Sequence, residues 1–239
     1  NVPFKNILND INKFCKSVPS LIFGLETALY DIKAKEQNRS LSKYLNLDSS
    51  NVVYFSYYCH NKSNVLKSDI IKIKIGKESI KDDIAKINSI INDSSDLVKV
   101  RLDANRAYDI SDLLFIDQSL DGAYIDYIEE PFKNPSLDKY KYIQDHTSLN
   151  LAIDETIYLE PDFINVVNKR YIDVLVIKPS IYGGYSSLFK LCDLAKKNSI
   201  RIILSSSLEG IVGNMAVIHL AAYINNDEKH GLNIYSFYN

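Results

Sequence analysis

The pattern of apolar and polar positions along the chain changes character near residue 48. Between residues 4 and 15, apolar side chains recur every three or four positions, which predicts an amphipathic helix. Pro19 interrupts that pattern, and Ser20 is placed to cap a second helix. Residues 46–51 are a polar loop, so the pattern predicts a helical domain over residues 1–48 and a second domain over residues 49–239.

From residue 52 onward, short runs rich in β-branched and aromatic residues alternate with helical patterns. Strands are predicted over residues 52–58, 70–75, 98–102, 124–128, 151–153, 174–177, 200–204 and 232–235. Helices are predicted over residues 78–91, 109–120, 136–145, 186–197 and 213–223, with one more after Pro161. This alternation predicts parallel strands joined by crossover helices, and about eight such strands suit a TIM-like α/β barrel. An open sheet is disfavoured because the motifs GxGxxG and GxxxxGKS are both absent from the sequence.

Charged residues recur where four of these strands end. Asp103, Glu129, Asp154 and Lys178 follow successive strands at intervals of 26, 25 and 24 residues, by subtraction of their positions. In a parallel barrel the carboxyl ends of the strands meet at one mouth, where catalytic residues lie. Three carboxylates close together raise each other's pKa, and a hard divalent cation such as Mg²⁺ removes that penalty. The sequence therefore predicts a metal site at this mouth.

Two lysines share one face of the predicted strand 70–75. Strict alternation puts Lys72 and Lys74 together, opposite the isoleucines. Because each ammonium disfavours its neighbour's charge, one of the two lysines is expected to have a lowered pKa, as a base requires. Lys178 follows the predicted strand 174–177, which is the fourth strand after this one. A metal between lysines on two sides predicts removal of a proton next to a carboxylate, with the metal stabilising the enediolate that forms.

The composition argues against several classes of protein. The apolar fraction of 46% and the formal net charge of −2 are those of an ordinary globular protein and argue against binding to nucleic acid. No stretch approaches the ~18 uninterrupted apolar residues of a membrane span. Cys15, Cys59 and Cys192 are widely spaced and odd in number, which argues against a disulfide framework or a zinc site and favours the reducing cytoplasm. The expected partner is a small-molecule carboxylate substrate, and the sequence leaves the oligomeric state open.

Seven sequence blocks, in order over roughly residues 50–235, resemble the enolase superfamily. The blocks are KIK (72–74), RLDANRA (101–107), IEEP (128–131), AIDE (152–155), IKP (177–179), SSSLE (205–209) and HGL (230–232). Within the superfamily, the chain most resembles the o-succinylbenzoate synthases of menaquinone biosynthesis. RLDANRA and SSSLE separate this resemblance from the muconate cycloisomerases, and IKP points the same way.

The resemblance implies a (β/α)7β barrel, TIM-like, that carries an N-terminal α+β capping domain. Residues 1–48 are then expected to be a partial, helical remnant of that capping domain, because they resemble only its helical end. Residues 49–239 are expected to form the barrel domain. The β-meander of the capping domain is expected to be absent, which leaves the enclosure of the substrate open.

The resemblance also implies roles for individual residues. Asp103, Glu129 and Asp154 would bind Mg²⁺, with Mn²⁺ as the alternative ion. Lys74, beside Lys72, would remove the proton alpha to the substrate carboxylate and help expel the hydroxyl as water, while Lys178 would face the opposite side of the substrate. Further substrate contacts would come from Ser205, Ser207, Gly184, Arg101 and Asn105. The implied reaction dehydrates 2-succinyl-6-hydroxy-2,4-cyclohexadiene-1-carboxylate to o-succinylbenzoate.

Two other functions remain open at the level of sequence. One is a dipeptide epimerase or N-acylamino acid racemase on the same scaffold, in which both Lys74 and Lys178 act as acid and base. The other is a barrel fragment without its cap that binds Mg²⁺ or a partner and catalyses nothing.

Overall fold

A parallel β-sheet organises the protein. The structure, a computed structural model, describes residues 3–58, 70–93, 99–159 and 161–233. The strands within those residues are β1 (Tyr54–Phe55), β2 (Tyr57–Tyr58), β3 (Ile70–Lys74), β4 (Lys99–Asp103), β5 (Ile125–Glu129), β6 (Leu151–Ile153), β7 (Val174–Ile177), β8 (Arg201–Leu204) and β9 (Lys229–His230). Strands β2 to β8 form one seven-stranded sheet in chain order, while β1 pairs with β9. The pairs from β2–β3 to β6–β7 are all parallel.

Helices connect the strands from β3 onward. The α-helices in the described residues are α1 (Phe4–Phe14), α2 (Pro19–Glu36), α3 (Leu41–Leu45), α4 (Ile80–Asn92), α5 (Ile110–Ser119), α6 (Leu137–His146), α7 (Thr156–Leu159), α8 (Ile164–Asn168), α9 (Pro179–Tyr182), α10 (Gly184–Lys197) and α11 (Ile211–Ile224). Short 3₁₀ helices lie at Gly122–Tyr124 and Pro161–Phe163. Because neighbouring strands are parallel, each of these connections crosses back along the sheet through helix, which confirms the predicted α/β class.

The chain falls into two compact units. The first unit comprises Asn1–Phe55, Ile177–Asp193 and Ile202–Asn239, and the second comprises Ser56–Val176 and Leu194–Arg201. The second unit contains the ends of β3 to β6, where most of the predicted site residues lie. The predicted domain boundary at residue 48 remains a prediction.

Burial in the second unit follows from the sequence pattern of its strands. Along β3, Ile71 and Ile73 are buried while Lys72 is half-buried and Lys74 is exposed. All five residues of β5 are buried, as expected for a parallel strand that is covered on both faces. In β3, therefore, the buried isoleucines and the two lysines lie on opposite faces of the strand.

Side-chain caps fix where the helices after three of the strands begin. The hydroxyl of Ser79 accepts a hydrogen bond from the backbone at the start of α4, and that of Ser136 does the same for α6. Asp109 forms a reciprocal capping box with Asp112 at the start of α5. These caps satisfy amide groups that the first turn of a helix leaves without partners, so the loops at the strand ends are short and defined.

Aromatic packing joins two helices of the first unit. The rings of Tyr30 on α2 and Tyr185 on α10 stack with their centroids 5.0 Å apart. Phe23 stacks on the same tyrosine, with 6.0 Å between ring centroids, and Phe189 meets it edge-on. This cluster fixes α2 against the start of α10. None of the helices in the described ranges is long and apolar enough to cross a membrane.

Two predicted strands differ from the observed ones. The predicted strand 52–58 is instead two strands of two residues, β1 and β2, separated at Ser56, because each pairs with a different neighbour. The predicted strand 232–235 is wrong where the structure describes it, since the last strand is β9 and Leu232 lies beyond it. Residues 234–235, like Val98 of the predicted strand 98–102 and like Cys59, lie outside the described residues.

Candidate active site at the strand ends

Three carboxylates lie at the carboxyl ends of neighbouring strands in the second unit. Asp103 ends β4, Glu129 ends β5, and Asp154 directly follows β6. Asp103 is the register partner of Glu129 across the β4–β5 pair. The three side chains are buried, with exposed fractions of 8%, 1% and 2%. A parallel sheet therefore brings together residues that are far apart in the sequence.

The ammonium of Lys72 lies between two of these carboxylates. Its Nζ donates to both oxygens of Glu129, at 2.8 and 2.7 Å, and lies 3.1 Å from Oδ2 of Asp103. The lysine side chain is only 18% exposed. Buried charges are stable only when they are paired and hydrogen-bonded, and this lysine supplies the positive charge.

The electrostatics of this cluster shift the pKa values of its members. Burial, reinforced by the charges of Asp103 and Asp154, raises the pKa of Glu129 to about 7 although Lys72 opposes the shift. Burial acts to lower the pKa of Lys72, but the carboxylates of Glu129 and Asp103 outweigh it and the pKa is raised. Lys72 therefore stays an ammonium at neutral pH, and the lowered pKa expected for one lysine of the pair does not belong to Lys72.

The donor set of the cluster fits a hard divalent cation. Three carboxylates, with one ammonium among them, leave an excess of negative charge in a buried place, and such oxygen ligands are those that Mg²⁺ prefers. In this conformation Glu129 and Asp103 face Lys72, and the described part of the chain has no group of three His, Cys, Asp or Glu arranged to hold a metal ion. Binding of a cation by all three carboxylates would thus require Lys72 to move away from Glu129 and Asp103.

Glu130, directly after Glu129, organises the loop that carries Asp154. It has a positive φ of 46° and is 1% exposed. Its Oε1 accepts from the backbone N–H of Asp154 at 2.7 Å and of Thr156 at 2.8 Å, and its Oε2 accepts from the Thr156 hydroxyl at 2.6 Å. Arg106 donates to both Glu130 and Thr156. The sequence contained a signal for this network in the second glutamate of the IEEP block, but its partners could not be identified from spacing.

The two other predicted catalytic residues lie at further strand ends. Lys74 is the last residue of β3 and is the register partner of Asp103. Lys178 follows β7 directly, is half-buried, and is the residue just before α9. Lys74 belongs to the second unit with the carboxylates, and Lys178 belongs to the first.

Two predicted substrate contacts, Arg101 and Asn105, flank Asp103. Arg101 on β4 is 1% exposed, and its Nε donates to Oδ2 of Asp126 at 2.7 Å. Asn105 is exposed in a left-handed turn with φ 46°, and its amide lies 3.4 Å from the backbone oxygen of Asp103. The guanidinium of Arg101 thus serves an internal ion pair, whereas Asn105 lies at the surface beside the carboxylate cluster.

The remaining predicted substrate contacts lie in the first unit. Ser205 continues β8 and pairs with Gly231 in an isolated bridge. The hydroxyl of Ser207 contacts that of Ser180 at 2.6 Å and donates to Oε1 of Glu209, also at 2.6 Å. Gly184 begins α10 with φ 79°. Ser207 therefore belongs to a polar cluster whose centre the sequence did not identify.

Glu209 is the centre of that cluster. It accepts hydrogen bonds from the hydroxyls of Ser180, Ser206 and Ser207 at 2.5–2.6 Å. Burial raises the pKa of Glu209, but the three hydroxyl donors outweigh burial and hold the pKa below its ordinary value. Glu209 is therefore a carboxylate at neutral pH, and it orders the loop after β8.

The chain is similar in sequence to known proteins. Residues 64–238 match the model of a family described as enolase C-terminal domain-like. Arabinonate dehydratase of Saccharolobus solfataricus is 28% identical over 86% of this chain and 58% of its own length. A hydrophobic dipeptide epimerase of Enterococcus faecalis is 26% identical over 89% of this chain and 63% of its own. An o-succinylbenzoate synthase of Proteus mirabilis is 25% identical over 90% of this chain and 65% of its own.

A solved structure shows the same fold. The dipeptide epimerase from Enterococcus faecalis V583 superimposes with a TM-score of 0.85 at 24% identity, over 96% of this chain and 69% of that one. This likeness confirms the predicted TIM-like α/β fold. The chain spans about three fifths of the length of the curated relatives it matches.

Proposed function

The chain belongs to the enolase C-terminal domain-like family, and we propose that it is an o-succinylbenzoate synthase. The proposed reaction is the Mg²⁺-dependent dehydration of 2-succinyl-6-hydroxy-2,4-cyclohexadiene-1-carboxylate in menaquinone biosynthesis, in the cytoplasm. The observation that carries the proposal is the register of Lys74, Asp103 and Glu129 across β3, β4 and β5. It supports a base beside a buried carboxylate cluster, and the RLDANRA and SSSLE blocks favour this reaction over others on the scaffold.

The proposed metal ligands are Asp103, Glu129 and Asp154. When bound, Mg²⁺ supplies positive charge that stabilises the enediolate form of the substrate carboxylate. Glu130 holds the backbone of Asp154 and Thr156, so it would keep the third ligand in place. Lys72 balances the charge of Glu129 and Asp103 while no cation is bound.

Lys74 is the proposed base of the reaction. It would take the proton from the carbon alpha to the substrate carboxylate and return it to the departing hydroxide, so that one water leaves and the ring becomes aromatic. Lys178 would hold a positive charge on the opposite side of the substrate and stabilise the negative charge that develops. Ser205, Ser207, Gly184, Arg101 and Asn105 remain predicted substrate contacts.

Substitution of the proposed base tests this function. Lys74→Ala is expected to lower turnover of the cyclohexadiene carboxylate by at least about 10²-fold, because a positioned general base contributes ~10²–10⁴-fold. Its affinity for Mg²⁺, measured by calorimetry, should stay within about threefold of the unaltered protein. Turnover within tenfold of the unaltered protein would refute the assignment of the base.

A second candidate is racemisation or epimerisation of an acylated amino acid or dipeptide. It is favoured by the presence of lysines at the carboxyl ends of two different strands and by the match to the Enterococcus faecalis epimerase, whose identity to this chain is close to that of the synthase. In that case both Lys74 and Lys178 would exchange the alpha proton. Exchange of solvent deuterium into a dipeptide, without dehydration of the cyclohexadiene carboxylate, would select this function over the synthase. A lack of turnover on both substrates would exclude both of these functions.

A further inference from the structure

Glu26 on α2 is a carboxylate in the interior of the first unit. It is 0% exposed. Its Oε1 accepts from Asn12 Nδ2 at 2.8 Å and from the Ser186 hydroxyl at 2.7 Å. Its Oε2 accepts from the backbone N–H of Tyr185 at 2.6 Å and of Ser186 at 3.2 Å. A buried carboxylate is costly unless its oxygens are satisfied, and these four donors meet that requirement.

Two of the four donors are backbone amides in the first turn of α10. Amides in the first turn of a helix have no partners within the helix, and the helix dipole favours a negative charge there. A cap normally comes from the residue just before the helix. Here it comes from α2, 159 positions from Tyr185 in the chain. Glu26 therefore fixes the start of α10 by long-range contact.

The turn before α10 is shaped around this carboxylate. Gly183 has φ 111° and Gly184 has φ 79°, a left-handed conformation that residues with a side chain rarely adopt. A Cβ atom on Gly184 would lie 2.5 Å from Oε2 of Glu26. The two glycines thus let the backbone approach the carboxylate and aim the following amides at it.

Lys178 lies on the same short stretch of chain. Only residues 179–183 separate it from Gly184, and most of them form α9. The backbone oxygen of Lys178 accepts from Ile181 at 3.0 Å and from Tyr182 at 2.9 Å, and the N–H of Gly183 bonds to Pro179. The stretch is therefore stiff. Its first end continues β7, and its other end meets Glu26.

We propose that Glu26 is a positioning residue for Lys178. Its carboxylate holds the start of α10, and this fixes the position at which α9 ends. Because α9 is short and stiff, the position of Lys178 at its other end is fixed as well. The inference rests on the proposed role of Lys178 opposite the base. Glu26 itself touches neither substrate nor metal in this scheme.

Glu26→Gln is the first test. The amide keeps the volume of the side chain but replaces one acceptor oxygen by a donor that opposes the backbone amides. Because a misplacement of about 1 Å can cost 10²-fold in rate, kcat is expected to fall at least tenfold, with KM changed less than about threefold. The rate at which acetic anhydride modifies Lys178, followed by peptide mass spectrometry across pH, should change as well. A kcat within twofold and an unchanged modification profile would overturn the proposal.

A matched pair of milder variants separates positioning from loss of stability. Ser186→Ala and Asn12→Ala each remove one side-chain hydrogen bond to Oε1 of Glu26, but only Ser186 lies on α10. Ser186→Ala is expected to lower kcat about threefold and to speed hydrogen exchange in the peptide over residues 178–186. Asn12→Ala is expected to leave both unchanged. Equal effects of the two variants on kcat would contradict the proposal, and the pair also serves if Glu26→Gln fails to fold.

The rate at which acetic anhydride modifies Lys178 can be measured whether or not the protein is active, so it tests this inference separately from the proposed function. If the unaltered protein turns over neither substrate, the proposed function fails, while the altered reactivity of Lys178 in Glu26→Gln still supports positioning. If the unaltered protein is active and Glu26→Gln matches it in kcat and in lysine reactivity, positioning alone fails.

Discussion

At the scale of single residues, Lys72 controls the charge balance of the strand ends in the second unit. Its ammonium contacts Glu129 and Asp103, whose charges outweigh burial and raise its pKa. A lysine held in this way donates hydrogen bonds and does not accept a proton at neutral pH. Of the two lysines in the KIK block, Lys74 is therefore the candidate base, and Lys72 acts on the carboxylates.

Replacement of Lys72 tests this charge balance. Lys72→Met keeps the length of the side chain but leaves two buried carboxylates without their cation, which typically costs about 3–5 kcal/mol. We expect the free energy of unfolding, measured in urea without divalent ions, to fall by about 3 kcal/mol. Addition of Mg²⁺ should restore more stability to this variant than to the unaltered protein, because the ion supplies the missing charge. A loss below 1 kcal/mol would show that the ion pair does not stabilise the fold.

Side-chain partners are the part of the site that the sequence predicted least well. Periodicity placed Asp103 and Glu129 at strand ends, because alternation and strand length are local properties. It could not predict that Arg101 pairs with Asp126 or that Ser207 bonds to Glu209. Those contacts depend on which strands and loops become neighbours, and a spacing within one strand carries no such information.

At the scale of elements, an ion-pair network in the second unit joins two arginines to one aspartate. Asp126 on β5 accepts from Arg101 Nε on β4 at 2.7 Å and from Arg201 Nη1 at the start of β8 at 2.8 Å. Burial raises the pKa of Asp126, but hydrogen bonding to Arg201 and the charge and hydrogen bond of Arg101 outweigh it, so the pKa is lowered. The carboxylate form of Asp126 therefore contributes to stability.

The sign of this contribution predicts a dependence on pH. Because the folded pKa of Asp126 lies below its unfolded value of about 3.9, its contribution is fully present above that value and is lost as the pH falls through the folded pKa. Asp126→Asn is expected to lower the free energy of unfolding by about 3 kcal/mol at pH 7, since it removes the carboxylate that is paired with buried Arg101. The difference from the unaltered protein should shrink below pH 4.

Urea unfolding at pH 7 and pH 3 measures both quantities. Asp10→Asn is the matched control, because Asp10 is an exposed aspartate on α1. Its effect should stay within about 0.5 kcal/mol at both pH values. A deficit for Asp126→Asn that is the same at pH 7 and pH 3 would contradict the pH dependence.

The order and type of the elements could be predicted well, and their ends less well. β3 to β8 follow from apolar runs separated by helical patterns, and both kinds of pattern are local properties of the sequence. The run 52–58 looked like one strand because its composition is uniform. It is divided at Ser56 because β1 pairs with β9 and β2 pairs with β3, and such a choice of partners is a tertiary property.

At the scale of the whole molecule, binding of the proposed metal is expected to stabilise the native state. The formal net charge of the chain is only −2, yet Asp103, Glu129 and Asp154 are buried together. Burial, and after it the charges of Asp103 and Asp154, raises the pKa of Glu129 to about 7 against the opposing charge of Lys72, so a bound cation would stabilise the cluster further. The native state should therefore bind Mg²⁺ more tightly than the unfolded chain does.

Such linkage makes thermal unfolding a direct measure of the metal site. Ligand at about 100 times its dissociation constant stabilises a native state by ~2.7 kcal/mol, which for a chain of this size raises the midpoint by roughly 5–11 °C. We expect this rise with MgCl₂ but not with NaCl at the same ionic strength. Asp154→Ala should abolish the rise because it removes one of three ligands, whereas Lys74→Ala should keep it because Lys74 acts on substrate. An equal rise in Asp154→Ala would mean that Mg²⁺ binds elsewhere, and the assignment of the three strand-end carboxylates would then fail even if the enzyme proved to be metal-dependent.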